Sequence, residues 1–163
     1  MGASEPGPST LSAAHQLGRL VAEAGWVVLT GGRPAGVMDA ASAGAKSVPG
    51  SLTLGILPSG PEGPVSPRVD LAVFTGVGEA RNAINVLSSD VVIACGVEGP
   101  GTASEVALAL RLARPTILLA PAAEASRFFR TIAGRCPLHE VATPEAAVKL
   151  IECDLGIPRW RWD

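Results

Sequence analysis

Two periods alternate in the spacing of apolar residues along this chain. Leu11, Ala14, Leu17, Leu20, Val21 and Ala24 recur at helical spacing and predict a helix over 11–23, with Ser9 or Thr10 placed to cap it and Gly25 to stop it. Short, continuous apolar runs follow at 26–30, 52–57, 71–74, 91–95, 116–119 and about 138–142, which read as strands, those at 26–30 and 91–95 as buried ones. Helical patterns fall between most of them, at 37–46, 78–88, 102–112, 122–132 and 144–153. This alternation predicts a single α/β domain, a Rossmann-like doubly wound parallel sheet flanked by helices.

One element is missing from that layout. The first helix is preceded only by Met1-Gly2-Ala3-Ser4-Glu5-Pro6-Gly7-Pro8, which has the character of a loop that follows a first strand. That strand would occupy the middle of the sheet, so an empty place would expose two sets of ladder donors and acceptors. Either residues upstream of Met1 or residues outside this sequence are expected to fill it.

At 163 residues the chain is long enough for a proper core, and 47% hydrophobic against 17% charged residues suggests extensive burial, extending into an oligomer. The net charge of −2, without a Lys/Arg block, lacks the electrostatic footprint of a nucleic-acid binder. No apolar run approaches the roughly 20 residues that span a bilayer, and the N-terminal stretch has no signal-peptide pattern. A cytosolic protein is expected. Cys95, Cys136 and Cys153 are odd in number and widely spaced, with only His15 and His139 to complement them. They read as reduced thiols, and no metal site is expected. The Pro/Gly-rich stretch 58–67 is a loop, either a mobile lid or an inert connection. Trp160 and Trp162, beyond the last helix, are expected to dock on the same subunit or on a neighbour.

The chemistry concentrates where two predicted strands end. Val91-Val92-Ile93-Ala94-Cys95 leads into Gly99-Pro100-Gly101-Thr102-Ala103-Ser104-Glu105 and then a helix, a design that aims unpaired backbone N–H groups at an anion. Gly99 and Gly101 permit close approach, Pro100 stiffens the turn, and Thr102 offers a hydroxyl and a cap. Glu105 follows about one turn later with the wrong charge for a phosphate, which suggests chemistry or sugar recognition. Trp26-Val27-Val28-Leu29-Thr30 similarly enters Gly31-Gly32-Arg33-Pro34-Ala35-Gly36-Val37-Met38, so the two strand ends imply one crevice. Arg33 is either an anion ligand or a solvated loop residue. Arg81 either reaches the crevice or pairs with Glu79 or Asp90, Asn82 either caps its helix or meets a ligand, and Asp39 suits a helix start through the dipole alone.

Thr30-Gly31-Gly32-Arg33, Gly36-Val37-Met38, Gly78-Glu79-Ala80-Arg81-Asn82, Asp90 and the run from Gly99 to Glu105 together resemble the molybdenum cofactor carrier branch of the LOG-like, or lysine decarboxylase-like, Rossmann superfamily. The likeness covers about 2–132, including Phe128-Phe129. It implies a homo-oligomer, dimer or tetramer, that binds and protects molybdopterin through Gly31, Gly32, Arg33, Asn82, Gly99, Pro100, Gly101 and Thr102. The related LOG phosphoribohydrolases cleave nucleoside 5′-monophosphates, and their signature Pro-Gly-Gly-x-Gly-Thr-x-x-Glu is here Val97-Glu98-Gly99-Pro100-Gly101-Thr102-Ala103-Ser104-Glu105. Their catalytic arginine and glutamate correspond to Arg81 and Glu105, whereas the lysine beside that arginine is replaced by Asn82. The resemblance therefore implies binding of a phosphate-bearing cofactor, molybdopterin or else a nucleotide phosphate, with phosphoribohydrolysis as the alternative.

Overall fold

The structure, a computed structural model, describes residues 1–157, and the expected docking of Trp160 and Trp162 lies outside the described residues. Elements follow in the order α1 (Pro8–Glu23), β1 (Val28–Thr30), α2 (Gly36–Lys46), β2 (Thr53–Leu57), β3 (Leu71–Phe74) and α3 (Arg81–Leu87). The second half continues with β4 (Val92–Cys95), α4 (Pro100–Arg111), β5 (Thr116–Leu119), α5 (Ala123–Ala133), β6 (Leu138–Val141) and α6 (Pro144–Cys153).

The strands form two parallel three-stranded sheets, β1-β2-β3 and β4-β5-β6, each with its first strand at one edge. Parallel ladders require crossovers, and helices supply them, which gives the Rossmann-like α/β architecture that the alternating pattern predicts. Between β1 and β4 lies a slot. Its upper end is closed by the chain's own first residues: Gly2 bridges Cys95 in parallel, Cys95 N–H donates to the Met1 carbonyl at 2.8 Å, and the Met1 amino group donates to the Ile93 carbonyl at 2.6 Å. Among the described residues the central strand position is thus filled only beside the carboxyl end of β4. Contrary to the expectation from the sequence, it is Met1 and Gly2 of the chain itself that enter it, because their backbone pairs with the free edge of β4.

Several element starts differ from the sequence pattern for local reasons. Helix α1 begins at Pro8, with Gly7 as N-cap, because proline suits the first helical position where its missing N–H costs nothing; neither Ser9 nor Thr10 caps it. Helix α4 likewise begins at Pro100 with Gly99 as its cap, so Thr102 lies inside the first turn rather than capping it. The predicted helix 78–88 divides into a 3₁₀ turn, Gly78–Ala80, and α3.

The core of the second sheet is built from Ala94, Leu118, Val106, Leu110 and Phe129, with Phe129 edge-on to Phe128 at 5.1 Å. On the opposite face, Ile117 and Leu119 pack with Leu17, Ala14, Ala147 and Ile151. Much of the apolar surface of α3 and α4 is consumed internally, because Val86, Val106, Ala109 and Leu110 are buried. Ile84, Leu87 and Leu112 remain exposed, as do Leu71, Val73 and Phe74 of the edge strand β3. No helix among the described residues is long and apolar enough to cross a membrane.

Candidate functional site

Both glycine turns open onto one cavity of about 650 Å³ at the carboxyl ends of β1 and β4, extending down the slot between them. Thr30, Gly31 and Arg33 line one wall, Gly99, Pro100, Gly101, Thr102 and Glu105 the other, and Arg81, Asn82 and Asn85 of α3 lie between. Nine of the ten residues singled out in the sequence meet there; Gly32 stands just behind the wall. Its φ of +71° makes the turn, and a Cβ on it would press on Leu57 and the Gly55 backbone. Only glycine combines that conformation with that clearance.

The wall at α4 is prepared for an anion. Pro100 has no N–H to offer, no side chain caps the helix, and the backbone donors of Gly101 and Thr102 precede the first intrahelical bond, in which Ala103 N–H donates to the Gly99 carbonyl at 3.1 Å. A Cβ built on Gly99 or Gly101 would meet nothing within 4 Å, so open space adjoins the helix start. Helix polarity adds partial positive charge at that point.

Arg81, Asn82, Asn85, Thr102 and Glu105 form a buried polar cluster, each less than one-tenth exposed. Arg81 is pressed against Gly31, where a Cβ would overlap its guanidinium and the Met38 sulfur. Burial pulls its pKa down from the usual arginine range, opposed by the charges of Glu105 and Glu79 and reinforced by Arg33. A guanidinium nevertheless stays charged in proteins. Its Nε is buried with no hydrogen-bond partner among the described residues, as is Asn85 Oδ1. Asn85 Nδ2 donates to Glu105 Oε1 at 3.1 Å, and Asn82 Nδ2 to Ser104 Oγ at 3.2 Å. Such unsatisfied buried groups cost about 1–3 kcal/mol each unless something answers them.

Arg33 is half-exposed at the mouth, 3.9 Å from Glu79, a distance too long for a tight ion pair. Glu5, Glu79 and Glu98 also reach the cavity, so the cationic side chains sit among carboxylates. Cys95 lines it too, but burial raises its thiol pKa, which suits an inert packing residue. Among the described residues no three His, Cys, Asp or Glu side chains gather as metal ligands.

Sequence reasoning missed Asn85. The available signal was a lone asparagine within Ala83-Ile84-Asn85-Val86-Leu87, an otherwise apolar stretch of helix one turn beyond Arg81. Asp39 also does more than suit a helix dipole: it binds Ser66 and Arg68 at the end of the 58–67 loop. That loop is fastened at its base as well, where Gly78 N–H donates to the Pro58 carbonyl at 3.0 Å.

A parallel α/β body with an open helix N-terminus and a buried arginine facing paired glycine turns defines a Rossmann-like protein with a LOG-type crevice. The chain belongs to the SLOG cluster4 family, which it matches over residues 1–148. It is similar to the molybdenum cofactor binding protein of the phototrophic bacterium Rippkaea orientalis, at 48% identity and a TM-score of 0.89, over 95% of this chain and 94% of that one. It is also similar to the molybdenum cofactor carrier protein of Chlamydomonas reinhardtii, at 41% identity and a TM-score of 0.88, over 96% of each chain. An uncharacterized protein of Archaeoglobus fulgidus is 40% identical over 133 residues, 80% of this chain and 85% of its own length.

Proposed function

We propose that the protein binds, stores or protects molybdopterin, the organic part of the molybdenum cofactor, and releases it to an acceptor. The observation that carries this reading is that the buried Arg81, with an unpartnered Nε, and the free N-terminal amides of α4 line one cavity of cofactor size. Similarity to a molybdenum cofactor carrier and a molybdenum cofactor binding protein supports it.

The residues present fit a phosphate-bearing pterin. Gly99, Pro100, Gly101 and Thr102 would hold the phosphate through backbone donors and the Thr102 hydroxyl. Arg81 supplies charge that cannot be titrated away, and Arg33 adds a guanidinium suited to two-point contact with a phosphate or a pterin edge. Gly31 keeps the facing wall low, Gly32 makes its turn from behind, and Asn82 offers an amide between the two walls. When bound, the cofactor's dithiolene would hold the molybdenum, and the walls would limit its access to water and oxygen.

The reading extends to a homo-oligomer in the cytosol without a nucleic-acid partner. Exposed Ile84, Leu87, Leu112 and the β3 side chains supply an apolar surface for a second subunit.

Arg81 and Glu105, both buried on the one cavity, support a second reading as a phosphoribohydrolase. Arg81 would bind the ribose phosphate, and Glu105, oriented by Asn85, would stabilise positive charge developing on the sugar. Mass spectrometry of small molecules released from anaerobically purified protein tests the choice. A carrier yields a pterin phosphate, whereas protein that carries none and frees base from nucleoside monophosphates is a hydrolase.

A further inference from the structure

The Asp39 carboxylate lies outside the cavity wall, yet a continuous set of bonds leads from it to the wall. Asp39 Oδ1 accepts from Ser66 Oγ at 2.6 Å and from Arg68 Nη1 at 3.0 Å, and Oδ2 accepts from Arg68 Nη1 at 2.8 Å. The Ser66 hydroxyl also accepts from the Arg68 backbone N–H at 3.2 Å, and Ser66 is 2% exposed. Ser66 N–H donates to the Gly32 carbonyl at 2.8 Å. The peptide after Gly32 carries Arg33.

We infer that Asp39 is a positioning residue for ligand binding, holding the end of the β2–β3 loop against Gly32 so that the Gly31-Gly32-Arg33 wall is set before a ligand arrives. The inference rests on the cofactor-binding reading above. A surface pair such as Arg68–Asp39 would by itself contribute little. Here the carboxylate also fixes a buried hydroxyl whose own backbone N–H is committed to the glycine turn. A Cβ on Gly32 would press on Leu57 and Gly55 behind it, so little room is left on that side, and the Ser66 bond restrains the turn from the loop side. A preset wall lowers the ordering cost of binding.

The test compares wild type, Asp39→Asn, Arg33→Ala and the double variant, with Arg68→Gln as a milder cut of the same link. Binding of 6-(hydroxymethyl)pterin phosphate is followed by fluorescence, inorganic phosphate by competition, and amide hydrogen exchange at 31–36 without ligand. Asp39→Asn is expected to weaken the pterin phosphate by about tenfold, or roughly 1.4 kcal/mol, and to speed exchange at Gly32 and Arg33. In the Arg33→Ala background the same change adds less than about twofold, because the two residues act through one turn. Arg68→Gln moves both readouts the same way. A merely structural Asp39 would lower the melting temperature while leaving affinity and exchange unchanged, or would weaken binding equally in both backgrounds, and either result overturns the inference. A wild type that binds neither probe refutes the cofactor reading. Exchange at Gly32 and Arg33 would still decide whether Asp39 sets the turn.

Discussion

The Arg81 guanidinium rests on Gly31 so closely that a single methyl group there would displace it. The two residues come from different halves of the crevice, one from the turn after β1 and the other from the start of α3. Their contact explains why the turn carries glycine where φ alone does not demand it.

Gly31→Ala therefore pushes Arg81 off its seat without removing any charge. Affinity for a pterin phosphate is expected to fall about tenfold or more, and overpacking is expected to cost about 1–3 kcal/mol of stability. Titration calorimetry and chemical denaturation on one preparation measure both. Unchanged affinity would mean that Arg81 does not contact the ligand.

Glu105 separates storage from hydrolysis. Its carboxylate takes a bond from Asn85, so Glu105→Gln retains the shape of the cluster while removing the charge. For a carrier the variant is expected to bind its cofactor within a few-fold of wild type, since amides and arginines supply the affinity. For a hydrolase it would abolish release of free base, because a group that acts in the transition state would be lost. A nucleotide panel with the wild type, read by chromatography, comes first, and no turnover is expected.

The features legible in the sequence were those written in neighbouring residues. A strand ending in glycines and opening a helix marked both turns, Glu105 followed one turn into the second helix, and Arg81 was marked by the Gly78-Glu79-Ala80-Arg81-Asn82 segment that carries the family resemblance. Contacts between distant segments were not legible. Asp39 and Ser66 are 27 positions apart and meet because β2 and β3 pair in parallel, returning the loop to α2. Asn85 was not singled out, because its partner Glu105 lies 20 positions away and is brought to it only by α4. An unfilled strand position between β1 and β4 was legible, but not the pairing of Met1 and Gly2 with β4, which depends on three-dimensional register.

Leu87 is about half-exposed on α3 and Ile84 lies on the same helix, while Val86 between them is buried. Among the described residues, neither of the pair belongs to a buried apolar cluster of the subunit. Sedimentation at micromolar concentration is expected to show a dimer or larger species, and Leu87→Glu to shift it towards the monomer. A wild-type boundary at the mass of a single chain would refute this.

Acid stability should depend on Asp70, which links two neighbouring strands. Its carboxylate accepts from Lys46 Nζ at 2.9 and 3.0 Å, from the Thr53 backbone N–H at 2.8 Å and from Thr53 Oγ1 at 2.9 Å. The Lys46 bond is the largest cause holding its pKa below the usual carboxylate value, with the Thr53 bonds assisting against partial desolvation. Glu140 is lowered in the same way, by Arg130 first and Ser126 next. A group with a depressed folded pKa takes up protons more readily when unfolded. Its stabilisation is therefore complete above the unfolded pKa of about 4 and is lost as pH falls through the lower folded value. Asp70→Asn should accordingly cost about 1–2 kcal/mol at pH 7, where the bonds to a charged acceptor are intact, and much less near pH 3. Denaturation curves at the two pH values should converge in acid. A difference independent of pH would show that shape rather than charge at Asp70 holds β2 to β3.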